Sequence, residues 1–348
     1  MTESKILQAA VIGFGKLGLL HAATISSLEG SKLSAVVESS PLIRNVIKHQ
    51  ISDLTVFSDV SDLLSSRDID FAVIATPTES HVEIATRLVE RGVAVLIEKP
   101  LSLTAAQARP LSEALRKRWV PNMVGYMGRF SDTFRQAKCI VEARVLGNIH
   151  LIRSSMYIEQ ILRPGEGWRY DPDKSGGGVL ITQNSHLIDK LQWLFGEIFE
   201  VSGHTTRLVS HGVEDYVHAF LRFQSGTVGY LDASWSARHH RTPTISIHAQ
   251  GENGTLDVSD DEVRLYLDEG MPGFTSGWTH WRTPDLYEPV PIDIGGPHYT
   301  RQMTEFIDAV RASSSVDSDV ANALKTQSVI DAIYASASQG GATVQVPA

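Results

Sequence analysis

The sequence predicts an α/β chain in two parts. A doubly wound parallel sheet is followed by a domain built on a large, mostly antiparallel open sheet. Three observations carry this reading. From Ile6 to Tyr126 short apolar strands alternate with helical patterns, as parallel βαβ units require. After Tyr126 many strand patterns follow one another with no helix between them, which suits antiparallel pairing. The 348 residues exceed what one hydrophobic core usually serves.

Ile6–Ile12 reads as a buried strand and Lys16–Leu28 as the helix after it. Leu33–Val37 is the next strand, and Pro41–His49 a helix with proline in its first turn. Leu54–Phe57 and Asp70–Thr76 read as strands, the second ending at Pro77. Glu79–Arg91 is amphipathic, with Ile84, Leu88 and Val89 on one face and Gly92 closing it. A strand at Val93–Ile97, a helix over Thr104–Arg118 and a strand at Met123–Tyr126 complete this part. Helices are then predicted over Asp132–Val145 and Val179–Leu194. Strands are predicted at 149–158, 199–204, 216–223, 227–234, 244–249, 255–258 and 263–267. Met271–Pro297, crowded with Gly, Pro and Trp, reads as one long loop, and Tyr299–Ala312 and Val320–Ser336 as closing helices. The expected divisions are 1–126, 127–297 and a closing segment 298–348.

Composition excludes several classes. Lys plus Arg number 31 and Asp plus Glu 40, a formal charge of −9 with no long basic run. Nucleic acid and anionic membranes are therefore disfavoured as partners. The lone cysteine, Cys139, excludes an intrachain disulfide framework and fits a reducing compartment. The start lacks a signal-peptide pattern and no apolar run is long enough to span a bilayer, so a cytoplasmic protein is expected. The 13 histidines include no H-E-x-x-H pair, and no metal site is expected.

Gly13-Phe14-Gly15-Lys16-Leu17-Gly18 is a G-x-G-x-x-G turn between a strand and a helix. The first glycine permits the tight turn, the second lets the backbone approach a pyrophosphate, and the third lets helix pack on strand. Glu38 ends the second strand, 20 residues after Gly18, where an acid takes the adenosine ribose hydroxyls. Together they predict a Rossmann domain that binds a dinucleotide. Glu38 repels a 2′-phosphate, and Ser39 and Ser40 offer no arginine for one, so NAD is expected over NADP.

Further motifs follow in order: Thr76-Pro77-x-x-x-His81, Glu98-Lys99-Pro100, Trp168-Arg169, Ser175-Gly176-Gly177-Gly178 and His186-x-x-Asp189. In this order the chain resembles the Gfo/Idh/MocA oxidoreductases, the glucose–fructose oxidoreductase and inositol dehydrogenase group, from about Ile6 to the final helices. The resemblance implies hydride transfer between a nicotinamide and a secondary alcohol or ketone of a sugar, cyclitol or sugar derivative. It implies that Lys99 polarises the reacting oxygen, across a Lys99–Pro100 bond expected to be cis, and that His186 handles the hydroxyl proton. Asp189, three residues on, either orients that imidazole or bonds a backbone group. The resemblance also implies a homodimer or homotetramer joined through a face of the antiparallel sheet.

Many members carry an aspartate four residues before the histidine. This chain has Thr182, which can hydrogen-bond but carries no charge. Gln183 and Asn184 then become candidates for substrate hydrogen bonds. Thr76, Pro77, His81, Glu98, Lys99, Arg129, Trp168 and Arg169 are expected around the cofactor. Tyr126, His298 and Tyr299 are expected near substrate, although Tyr126 and Trp168 read equally as core. Arg238-His239-His240-Arg241 reads either as a solvated loop or as a site where Arg241 meets a substrate anion. Two other functions fit the same motifs: an NAD-dependent glycoside hydrolase, and a catalytically silent dinucleotide sensor.

Overall fold

Strands that are apolar along their whole length need cover on both faces, and the N-terminal strands obtain it from helices. The computed structural model describes residues 5–347 apart from 52, 67, 164, 166, 168 and 169. The chain divides into two compact units, Met1–Met127 with Pro289–Leu324, and Gly128–Glu288 with Lys325–Ala348.

In the first unit β1 (Leu7–Ile12), α1 (Lys16–Ser27), β2 (Ser31–Val37), α2 (Pro41–Gln50), β3 (Thr55–Phe57), α3 (Val60–Ser66), β4 (Phe71–Ile74), α4 (His81–Glu90), β5 (Ala94–Ile97), α5 (Arg109–Lys117) and β6 (Asn122–Val124) alternate along the chain. The six strands lie in the order β3-β2-β1-β4-β5-β6, all parallel. Helix α3 is absent from the sequence reading, because seven residues carry too little periodicity to register. Ile12 pairs with Val37 and Ile74, Ile74 with Ile97, and Ile97 with Val124. The strands therefore end in register, and their loops leave from one carboxyl edge. Ile12, Ile74, Val95, Ile97 and Leu88 join one core. Each such buried side chain contributes roughly 1.5–3 kcal/mol.

The second unit begins with α6 (Asp132–Glu142), β7 (Ile149–Tyr157), α7 (Pro172–Ser175), α8 (Val179–Thr182) and α9 (Ser185–Phe195). Next come β8 (Ile198–Thr206), β9 (Tyr216–Phe223), β10 (Val228–Ser234), β11 (Thr244–Gly251), β12 (Gly254–Ser259), β13 (Glu262–Leu267), β14 (Gly277–Arg282) and α10 (Thr283–Leu286). The chain then passes through α11 (Pro297–Ala312), in the first unit, and α12 (Val320–Ser338) to β15 (Val344–Gln345). The nine strands run β14-β13-β12-β11-β7-β10-β9-β8-β15, antiparallel except for the β7–β10 pair. Along β9, Val217, Ala219, Leu221 and Phe223 are buried, while Tyr216, His218, Phe220 and Arg222 point the other way. Val217, Leu221 and Phe223 pack with Phe134 of α6, Leu187 and Leu191 of α9 and Ile330 of α12.

Two segments of the second half also differ from the sequence reading. The expected loop over 271–297 contains β14 and α10, so Trp278, His280 and Trp281 stand on an edge strand. The single helix expected over 179–194 is broken at Gln183–Asn184. A helical period survives such a break because it displaces the apolar positions only slightly.

Candidate active site

The loops leaving the carboxyl edge of the six-stranded sheet carry most of the first unit's polar motifs. Gly13 has φ +86°, and a Cβ there would lie 2.7 Å from the Ala75 carbonyl oxygen. A Cβ on Gly18 would collide with the Gly13 carbonyl, so only glycine lets α1 start this close to the turn. At Gly15, the N-cap of α1, a Cβ would meet nothing within 4 Å. Phe14, Lys16 and Leu17 fill the turn, with Lys16 exposed at the first helical position. The open backbone at Gly15 and the N-terminus of a 12-residue helix make a cradle for a pyrophosphate. Glu38 follows β2 and closes on this turn. Its carboxylate accepts the Phe14 N–H at 2.9 Å and the Ser40 N–H at 2.7 Å, and both oxygens keep lone pairs for further donors. These residues fit a dinucleotide.

Glu98-Lys99-Pro100 follows β5, and the Lys99–Pro100 bond is cis, as the resemblance implies. Glu98 is buried: its Oε1 lies 2.7 Å from Nε2 of His21 on α1, and its Oε2 accepts the Lys99 N–H at 3.2 Å. Burial pushes the Glu98 carboxyl upward, but the His21 hydrogen bond and charge, with Lys99 and His81, outweigh it and hold the group below its ordinary value. His81 places Nδ1 2.9 Å from the Pro100 carbonyl and Nε2 2.8 Å from the Thr76 carbonyl, tying the Thr76–Pro77 turn to the lysine turn. Thr76 also accepts the Ser80 hydroxyl at 2.7 Å. Tyr299, in the first turn of α11, meets the His21 ring edge-on at 6.2 Å and the His298 ring at 4.9 Å. Burial and the Glu98 charge push its phenol up to about 12.

In the second unit the triple-glycine turn leads into α8. A Cβ on Gly177 would collide with the Tyr334 hydroxyl, and one on Gly178 with the Glu214 carbonyl. Glu214 is buried; its Oε2 accepts the Gly178 N–H at 2.8 Å, and its Oε1 accepts the Leu180 N–H at 3.0 Å and the Tyr334 hydroxyl at 2.8 Å. Burial raises its carboxyl above the ordinary range despite these donors. Thr182 ends α8 with its hydroxyl donating to the Gly178 carbonyl at 2.6 Å. It is thus not on one helix with His186, which lies in the first turn of α9 and is 8 % exposed. Gln183 donates to Gln160 at 3.3 Å. Asn184 is fully buried, with neither amide atom partnered among the described residues.

Asp189 takes neither role expected of it. Arg129 donates to it twice, Nε to Oδ2 at 2.8 Å and Nη2 to Oδ1 at 2.5 Å. Burial pushes the Asp189 carboxyl upward, and the Arg129 fork opposes it. The pair packs beside Trp193, whose ring centre lies 5.7 Å from the guanidinium. Lys190, next in the helix, sits with its ammonium 3.8 Å from the Phe134 ring centre, and burial pushes it down to about 8.

Residues 7–126 match the oxidoreductase family with an NAD-binding Rossmann fold, and residues 134–257 match the GFO/IDH/MocA C-terminal domain. The chain belongs to the Gfo/Idh/MocA oxidoreductase family. It is an NAD-dependent oxidoreductase. It is 28% identical over 235 residues to a scyllo-inositol 2-dehydrogenase (NAD(+)) of Bacillus subtilis, covering 66% of this chain and 67% of the relative. It is 24% identical over 377 residues to a levoglucosan dehydrogenase of Pseudarthrobacter phenanthrenivorans, covering 96% of each. A solved levoglucosan dehydrogenase in complex with NADH and levoglucosan superposes with a TM-score of 0.88 at 23% identity, over 98% of this chain and 99% of that one.

Within this Gfo/Idh/MocA chain, other expected residues are placed as follows. Tyr126 is 1 % exposed and takes the core reading. Trp168 and Arg169 lie outside the described residues. Arg241 is exposed, while His240, with its ring 5.2 Å from Tyr157, is tied to Thr244 at 2.7 Å. Among the described residues no group of three or more His, Cys, Asp or Glu side chains could hold a metal ion. No helix of the described residues is long and apolar enough to cross a membrane. Sequence reasoning missed His21, Glu214 and Arg129's partner. A signal existed for the first: His21 falls one helical turn after Gly18, on the face that packs on the sheet.

Proposed function

We propose that this chain oxidises a secondary alcohol of a sugar, cyclitol or sugar derivative with NAD, or reduces the matching ketone. One observation carries the reading: the Gly13–Gly18 turn, Glu38 and Lys99 stand on one carboxyl edge of one parallel sheet, where open α/β sheets bind their ligands. NAD, when bound, supplies the acceptor for the hydride of the carbinol carbon. The protein binds, orients and moves the proton. The Lys99 ammonium donates to the reacting oxygen and lowers the alcohol's pKa as negative charge grows there. His186 takes the hydroxyl proton, since imidazole titrates near neutral pH. Thr182 assists through a hydrogen bond, and Gln183, His298 and Tyr299 bind neighbouring hydroxyls. The inositol and levoglucosan enzymes among its relatives support a polyhydroxylated ring as substrate.

The same reading makes the protein a homodimer or homotetramer through the outward face of the nine-stranded sheet. Tyr230 and Trp278 on that sheet are 50 % and 60 % exposed, large apolar surfaces that a second copy would cover.

The test is incubation with NAD⁺ and a panel of scyllo-inositol, myo-inositol and levoglucosan. NADH accumulating mole for mole with a ketone product is expected. Cleavage of glycosides without net NADH, or tight NADH binding with no turnover on a broader sugar panel, would overturn the proposal in favour of a hydrolase or a sensor.

A further inference from the structure

We propose that His21 is a positioning residue for Lys99: it holds the buried carboxylate of Glu98, which keeps an anion beside the lysine and fixes the backbone from which the lysine projects. The inference rests on the reading of Lys99 as the group that polarises the substrate oxygen.

The geometry is specific. His21 is 1 % exposed on α1 and places Nε2 2.7 Å from Glu98 Oε1. The other carboxylate oxygen accepts the Lys99 N–H at 3.2 Å, so imidazole, carboxylate and lysine backbone form one chain of hydrogen bonds. Gly125, at the end of the neighbouring β6, leaves room for that carboxylate, since a Cβ there would lie 3.1 Å from Oε2. His21 Nδ1 is buried and has no partner among the described residues. An apolar side chain would fill this position without an unsatisfied nitrogen, so the histidine is explained by the bond its other nitrogen makes.

The groups that face Glu98 are His21 from α1, His81 from α4, Lys99 from its own turn and Tyr299 from α11. Without His21 the Glu98 carboxylate loses the hydrogen bond that fixes one of its oxygens, and burial is less opposed. A carboxylate no longer held beside Lys99 supports its ammonium less, so the lysine releases its proton at lower pH.

Competitive acetylation of the whole protein with acetic anhydride from pH 6 to 11, read by peptide mass spectrometry, gives the midpoint at which Lys99 becomes reactive without any substrate. In His21→Leu that midpoint is expected to fall by on the order of one pH unit. In His21→Gln, whose amide N–H reaches about as far as Nε2, it is expected to return most of the way. Should His21→Leu not fold, His21→Asn, whose amide is too short to reach Glu98, takes its place with the same expected fall. An unchanged midpoint in a folded Leu or Asn variant, or a Gln variant shifted as far as Leu, overturns the proposal. Failure of the underlying reading looks different: Lys99→Met would keep its turnover on polyols, whatever the labelling midpoint does.

Discussion

The turn that carries Lys99 and the segment that carries His186 are built by opposite means. Lys99 follows a strand of a parallel sheet, and its neighbours arrive from adjacent strand ends in register. His186 follows a short broken helix, where the strands of the sheet place nothing by rule. Three buried side chains substitute for that rule: Glu214 caps the start of α8, and Arg129 with Asp189 anchors α9. Both regions rest on buried carboxylates, but differently supported ones. Glu98 is held by a histidine and a backbone N–H, Glu214 mainly by backbone N–H groups and a phenol, and Asp189 by an arginine fork. A sheet edge supplies position from topology, whereas a helix segment away from strand ends needs it from buried polar pairs.

Each region is expected to break at its own supports. His186→Ala should lower turnover on the identified polyol by about a hundred- to ten-thousandfold, the usual loss of a positioned acid–base group, measured by steady-state NADH formation. Arg129→Leu leaves Asp189 buried and unpaired, and urea unfolding should show a loss of about 3–5 kcal/mol. The double variant Arg129→Leu, Asp189→Leu should lose less than Arg129→Leu alone, because it leaves no orphan charge.

Lys190 gives a pH signature of the same helix. Its folded pKa, pushed down to about 8 by burial, lies below its ordinary value of 10.5. The unfolded chain therefore holds a proton that the folded chain has lost between those limits, so stability rises with pH across that window. Below about pH 8 the charged lysine disfavours folding by on the order of 3 kcal/mol relative to a neutral side chain. Lys190→Met should exceed the wild type in stability at pH 7, and the gap should close towards pH 10. A gap independent of pH in chemical unfolding would contradict this. Thr182→Ala should have the smallest effect, under about tenfold in turnover, since it removes one hydrogen bond of about 0.5–1.5 kcal/mol.

The first unit was legible because its chemistry sits in local motifs that the sheet then gathers. Gly13–Gly18, Glu38 and Glu98–Pro100 are each readable in a few residues, and parallel topology brings them to one edge. The second unit was legible as a mostly antiparallel sheet, and His186 as a candidate, but the supports around that histidine were not. The break at Gln183–Asn184 hid in a continuous apolar period, and β14 hid in a stretch where Gly and Pro outweigh its alternation. Asp189 looked like a partner for His186 because sequence spacing sees one helix face, whereas its partner Arg129 lies 60 residues away. His21 and Glu214 went unremarked for the same reason: their partners are 77 and 36 residues distant.

In the proposed function one sheet edge separates two roles, with the dinucleotide held by Gly13–Gly18 and Glu38, and the chemistry done at Lys99. The most direct test is a fluorescence titration of Lys99→Met with NADH beside its turnover on the identified polyol. The dissociation constant is expected to stay within about threefold of the wild type, under about 1 kcal/mol. Turnover is expected to fall by at least about a hundredfold. Turnover near the wild-type value with unchanged NADH affinity would contradict it.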